Sequence, residues 1–323
     1  TNPRNVALTA ADVVMKLAEL KRVAPELEPQ SLMVVATGAA TLEADARELT
    51  TDELPSQVDD LDGDGKLDEL AFQLALGPRQ TRIVTLAYGE QAAMLRLKSA
   101  YPVRAHAAFR EHYEGLGWES ELAAWRIYYD GRSAIDLFGK RRSALALSIF
   151  GQAEYDYHRE TPLGRDIYKV GNALGIGAIA LWDQGRLTRL GAAARHSWRV
   201  VANGPVRAMA QIVYDGLGPA PGAAPLQLSS TFTVWAKERG FWHVARVKGT
   251  AGVALVAALP KKQGTELVAP APAGALALGT WGHQVVAAGS QSSDALPDQN
   301  LGLGLIVPGA AAGARLEDPD NYL

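Results

Sequence analysis

Apolar positions along this chain mostly recur with period two or fall in short runs between turn residues. "SLMVVAT", "DELAFQLAL", "TRIVTLAYG", "AAWRIYYDG", "SAIDLFGK", "WRVVANGPVRAMAQIVYDG", "STFTVWAK" and "HVARVKG" all read this way, and each predicts a strand. Turns such as "YDGR", "NGP" and "YDGLG" separate them. Residues 11–23, "ADVVMKLAELKRV", have some helical rhythm, although their opening valines also suit a strand. "GLGPAPGAAPLQ" and "APAPAGALALG" are rich in proline, glycine and alanine and read as surface loops. Many short strands without regular strand–helix alternation predict an all-β fold. A break is placed near residues 89–100. A small β domain with an acidic, calcium-type loop is expected over 1–92, and a large antiparallel β-sandwich over 93–323.

Composition narrows the function classes. The 323 residues carry 32 lysines and arginines against 35 aspartates and glutamates, a net charge of −3. That near-balance offers no basic footprint for nucleic acid. Cysteine is absent, which removes disulfides, thiolate metal sites and thiol nucleophiles. The longest apolar run, "AGVALVAALP", is far too short for a spanning helix. The chain opens "TNPRNVAL" without methionine, so a mature exported form, periplasmic or secreted, is expected.

The acidic stretch "DLDGDGKLDE" places Asp60, Asp62, Asp64 and Asp68 around Gly65. Alternate carboxylates on a tight turn, with the Lys66 carbonyl as a further oxygen, suit a hard cation such as calcium. Loop position 12 is Ala71 rather than glutamate, so this is no EF-hand. Aspartate and glycine also build turns without metal. Either way the role is structural, and no cofactor is expected for catalysis.

"YDYHRETPLGRDIYKVG" gathers Tyr157, His158, Arg165, Asp166, Tyr168 and Lys169. Cleaving a uronate by β-elimination needs a cation on the carboxylate, a base for the C5 proton and an acid for the leaving oxygen. This stretch holds every required type. Its continuation, "VGNALGIGAIALW", matches neither a dinucleotide nor a Walker loop; its glycines suit close approach to a ligand or a neighbouring strand. Glu119, Arg195, His196, His243 and His283 complete the candidate set, Arg195 and His196 among the catalytic ones. Period two turns Arg195 and His196 to opposite faces if that segment is extended. No metal-binding histidine pair and no G-x-S-x-G elbow occurs.

"LPSQVDDLDGDGKLDELAFQLAL", "WESELAAWRIY", "AIDLFGK", "YHRETPLGRDIYKVGNALGIGA" and "WRVVANGPVRAMAQIVY", in that order, resemble the bacterial family catalogued as domain of unknown function 4861. The resemblance implies a small N-terminal β domain and a galactose-mutarotase-like supersandwich, a fold shared by sugar epimerases and polysaccharide lyases. It also implies export and a polysaccharide-degradation setting, often beside enzymes for unsaturated uronates. The family's Tyr-His and Asp-x-Tyr-Lys elements fall on His158, Asp166, Tyr168 and Lys169. Ala178 stands where a second glycine is expected after Gly177. The leading expectation is a lyase or dehydratase for uronate oligosaccharides, with His158 or Tyr168 as base or acid and Lys169 with Arg165 or Arg195 on the carboxylate. A mutarotase or epimerase using Glu119, and a non-catalytic glycan binder, are the alternatives. Oligomeric state is not legible.

Overall fold

The structure, a computed structural model, describes residues 1–37, 51–218, 224–249, 254–270, 274–283, 300–309 and 315–323. It is all-β and sandwich-like. Every segment quoted above as a strand contains one, because alternating apolar positions give each a face to bury. Residues 11–23 divide: strand Leu8–Lys16 runs into helix Leu17–Val23. A second helix, Gln91–Lys98, occupies the expected break. One loop expectation needs correcting. In "APAPAGALALG" the second half opens strand Ala275–His283, pairing with Asn300–Pro308. Residues 219–223 of "GLGPAPGAAPLQ" and 271–273 of "APAPAGALALG" lie outside the described residues. Among the described residues no helix is long and apolar enough to cross a membrane.

Near the N-terminus two three-stranded antiparallel sheets share a core of Leu17, Leu32, Val34, Leu70, Phe72 and Leu74. In one, Glu69–Leu76 is central between Leu8–Lys16 and Ser56–Asp59; in the other, Met33–Thr37 lies between Thr51–Leu54 and Ile83–Ala87.

The principal core lies further along the chain. A five-stranded sheet runs in the order Gly164–Asp166, Ile135–Lys140, Ala124–Tyr128, Gly115–Ser120, Ala105–Arg110. It meets a four-stranded meander of Arg195–Ala202, Arg207–Leu217, Leu226–Trp235 and Trp242–Lys248. Trp118 of the first sheet stacks on Phe232 of the second, ring centres 4.1 Å apart. A smaller core of Tyr113, Phe138, Phe150 and Tyr157 adjoins the five-stranded sheet. Its strands Gly115–Ser120 and Ala124–Tyr128 are therefore buried at every position, and any charge within them needs a partner in place.

Arg207 joins the two parts. Its Nε donates to Asp59 Oδ2 at 2.8 Å and its Nη2 to Glu69 Oε2 at 2.9 Å, all three side chains being largely buried. Beside it, Gln57 Oε1 accepts from the amides of Val206 and Arg207, and Ala71, Val206 and Trp235 form a small apolar contact. Removing one member of a buried charge cluster strands the others. Arg207→Met is accordingly expected to lose about 3–5 kcal/mol in urea denaturation; a loss under about 1 kcal/mol would show that water relieves Asp59 and Glu69.

Candidate active site

The site starts from two adjacent strands. Ala124–Tyr128 and Ile135–Lys140 pair with Arg126 opposite Asp136, and period two turns Tyr128 to the same face as Arg126. The edge strand Gly164–Asp166 adds Asp166, opposite Phe138. Arg126 is 2% exposed. Its Nε and Nη2 lie 3.0 and 2.6 Å from Asp136 Oδ2, and Nη2 lies 3.1 Å from Asp166 Oδ2. Nη1 reaches the Tyr113 carbonyl at 3.1 Å and Tyr157 Oη at 3.0 Å. The Tyr128 hydroxyl donates to Asp136 at 2.9 Å.

Two carboxylates around one guanidinium leave an excess negative charge in a place with little water. Burial, then the neighbouring Asp136 charge, push Asp166 well above the usual carboxylate range; Arg126 opposes them and does not prevail. Asp166 Oδ1 accepts the Tyr168 amide at 3.1 Å, and its Oδ2 lies 3.9 Å from Nδ1 of the half-exposed His158.

These groups open onto a cleft of about 310 Å³ lined by Arg126, Tyr128, Arg132, His158, Arg165, Asp166, Tyr168 and Lys169. Tyr168 is 2% exposed, and its hydroxyl has no hydrogen-bond partner among the described residues. Burial, then the neighbouring Asp136 and Asp166, raise its pKa. Lys262 secures this corner from the distant C-terminal part. Its Nζ donates to the Lys169 carbonyl and lies 3.3 Å from that of Val170 and 5.1 Å from the Tyr168 ring centre. Burial lowers its pKa. Arg132, with its guanidinium 3.6 Å from the Tyr128 ring centre and paired with Asp130 and Glu114, forms another wall.

Of the candidates from sequence, His158, Arg165, Asp166, Tyr168 and Lys169 converge here, and Tyr157 supports them from beneath through Arg126. The others lie elsewhere. Glu119 is sealed from solvent, bonded to Lys140 Nζ at 2.5 Å and to the amides of Ala146 and Leu147. Burial alone would raise its pKa; His106 and Lys140 hold it below the usual range. Arg195 is exposed on the meander, and His196 packs between Tyr129 and Tyr214. His283 is exposed at the end of strand Ala275–His283. His243 bridges the Gly177 carbonyl and Ser230 Oγ, both at 2.9 Å. None of these lines the cleft. Arg126, Tyr128, Arg132, Asp136 and Lys262 were missed. The available signal was charge inside apolar runs: Arg126 between Trp125 and Ile127, Asp136 between Ile135 and Leu137.

Of the glycines after Lys169, Gly171 lines the cleft and Gly175 packs against a neighbouring strand. At Gly175, φ is +86°, and a Cβ would stand 1.9 Å from the Ile135 carbonyl oxygen. In the acidic loop, Asp60 accepts the amides of Gly63 and Gly65, and Asp68 that of Leu61. Carboxylate oxygens of Asp60, Asp62 and Asp68 lie within 4.8 Å of one another, while Asp64 pairs with Lys66 at 3.1 Å.

The fold and cleft thus define an all-β protein with a buried arginine–carboxylate cluster beneath a histidine, tyrosine and lysine pocket. Residues 1–323 match the family model described as Domain of unknown function (DUF4861), and the chain belongs to that family. No curated protein sequence matches it. Among solved structures it is similar to a protein in the glycosyl hydrolase family 38 from Enterococcus faecalis, at 10% identity over 95% of this chain and 40% of that one, TM-score 0.41. It is also similar to an α-mannosidase from Enterococcus faecalis V583, at 10% identity over 99% and 40%, TM-score 0.39. The chain thus spans about 40% of the length of these structures.

His243 yields a test of stability. Burial lowers its pKa from 6.5 to about 4, so the folded protein keeps it neutral where the unfolded chain takes up a proton. Its contribution is complete above about pH 6.5 and shrinks as pH falls toward 4. Linkage gives a loss of roughly 2 kcal/mol by about pH 5. Urea denaturation at about pH 7.5 and pH 5 should show that drop in the parent and a smaller one in His243→Gln; equal drops would mean that another group controls it.

Proposed function

We propose that this protein is a carbon–oxygen lyase or dehydratase acting by β-elimination on uronate-containing oligosaccharides. The supporting observation is the convergence, in one cleft, of a half-exposed histidine, a buried protonated tyrosine with an unpartnered hydroxyl, and the cations Lys169 and Arg165. Lys169 and Arg165 hold the uronate carboxylate and draw charge from C5. His158 takes the C5 proton, its Nδ1 side facing Asp166. The C5–H electron pair becomes the C4–C5 double bond, the C4–O bond breaks, and Tyr168 gives its proton to the departing oxygen. The departing group is a sugar alcohol for a lyase and water for a dehydratase. Asp166 and Asp136 stay behind Arg126 and fix its position.

The epimerase reading loses its carboxylate base, because Glu119 is enclosed by Lys140 and backbone amides. A hydrolase needing two carboxylates on a substrate is equally poorly served, since Asp136 and Asp166 both bond Arg126.

Mixed oligouronide digests should yield the ultraviolet absorbance of a conjugated unsaturated uronate. His158→Ala and Tyr168→Phe should each cut kcat by on the order of 10²–10⁴. Tyr168→Phe should melt no lower than the parent, since the hydroxyl it loses has no partner to abandon. A parent protein that binds these sugars and forms no unsaturated product would reduce the reading to a glycan-binding protein.

We also propose that the acidic loop holds a structural calcium through Asp60, Asp62 and Asp68, with the Lys66 carbonyl as a further oxygen. Calcium at a hundredfold excess over its dissociation constant should stabilise the protein by about 2.7 kcal/mol, reversed by chelator and absent in Asp60→Asn. Unchanged melting would leave a hydrogen-bonded turn.

A further inference from the structure

A second cleft, of about 540 Å³, adjoins the first. Neighbouring residues of a strand point to opposite faces, and Gly164–Asp166 is the outermost strand of its sheet. Asp166 turns to the Arg126 cluster, whereas Arg165, at the open edge, lines both clefts. Ile167 covers Gly139, where a Cβ would come within 2.8 Å of its side chain. Leu301 and Gly302 form the opposite wall.

The charge on this cleft is one-sided. Lys140 is committed to Glu119. The remaining charged side chains on its lining are Arg141, Arg165 and Arg239 against Glu160. Glu160 is paired with Arg141. Arg239 is exposed, with a 3.3 Å contact to the Leu122 carbonyl. Trp281 stands opposite Gly302, a residue of the cleft lining, in the strand pair, and its indole lies where a Gly302 side chain would be, 2.9 Å from that Cβ position. The indole is nonetheless 54% exposed. An exposed indole beside excess guanidinium charge combines a platform for a sugar ring with donors for a carboxylate.

We infer that this cleft is a second subsite, taking an anionic sugar unit with its ring on Trp281 and its carboxylate against Arg239, while Arg141 stays with Glu160. Binding here stands apart from the elimination chemistry of the first cleft. An oligosaccharide that occupies both passes the sheet edge at Arg165.

Calorimetric titration separates the two. The His158→Ala protein serves as parent, so that turnover does not blur binding. Probes are short oligouronides from glucuronan, pectate and alginate, with their carboxyl-reduced, neutral counterparts. At least one acidic probe is expected to bind, at least tenfold more weakly in Arg239→Ala and in Trp281→Ala, with much of the affinity kept in Trp281→Phe. The reduced counterpart should bind weakly to all. Three results would each overturn the inference: no probe binds, the variants bind as tightly as the parent, or reduced and acidic probes bind alike. Elimination by the protein without the His158 substitution is measured separately, so its failure leaves this result intact.

Discussion

A guanidinium without access to water holds the cleft in shape. Arg126 stands in a strand buried at every position, and it is acceptable there because Asp136, Asp166, Tyr157 and the Tyr113 carbonyl meet its donors. Those partners come from two strands and two loops, so one side chain fixes their mutual positions. Replacing such a cluster by apolar residues of equal volume is often neutral or favourable for stability. Its value lies in geometry and in charge: burial beside Asp136 pushes the Asp166 carboxyl well above the usual carboxylate range, against the pull of Arg126.

Local chemistry was legible in the sequence and distant pairing was not. His158, Arg165, Asp166, Tyr168 and Lys169 lie close in the chain, and the turn between them is short enough to bring them to one cleft. Arg126, Tyr128 and Asp136 reach the same cleft only through the pairing of adjacent strands, a register that period alone does not reveal. Glu119 and His243 show the opposite error. Residue type suggested chemistry, but each is a satisfied interior group whose partners, Lys140 and Ser230, lie well away in sequence. Strands were readable wherever alternation was clean. Residues 11–23 were ambiguous because Val13 and Val14 belong to a strand whose last residue, Lys16, immediately precedes a helix.

The two main cores meet through polar contacts beside the small apolar cluster of Ala71, Val206 and Trp235. Gln57, Asp59 and Glu69 converge on Arg207, and Arg199 donates to the Leu61 carbonyl within the acidic loop. Directional bonds of this kind fix orientation more sharply than a smooth apolar contact of similar size. The acidic loop is thereby part of the junction, and whatever stiffens it also stiffens the seat of strand Arg195–Ala202.

The floor of the first cleft is completed from far downstream. Asn321 accepts the Leu174 amide, Tyr322 pairs with Leu259, Ala258 bonds both Gly177 and Ala178, and Lys262 ties down Lys169. Synthesis proceeds from the N-terminus, so a ribosome-bound chain can own every residue of the pocket and still lack the supports beneath it. The walls of this cleft are therefore translated before the residues that brace it, Ala258, Leu259, Lys262, Asn321 and Tyr322.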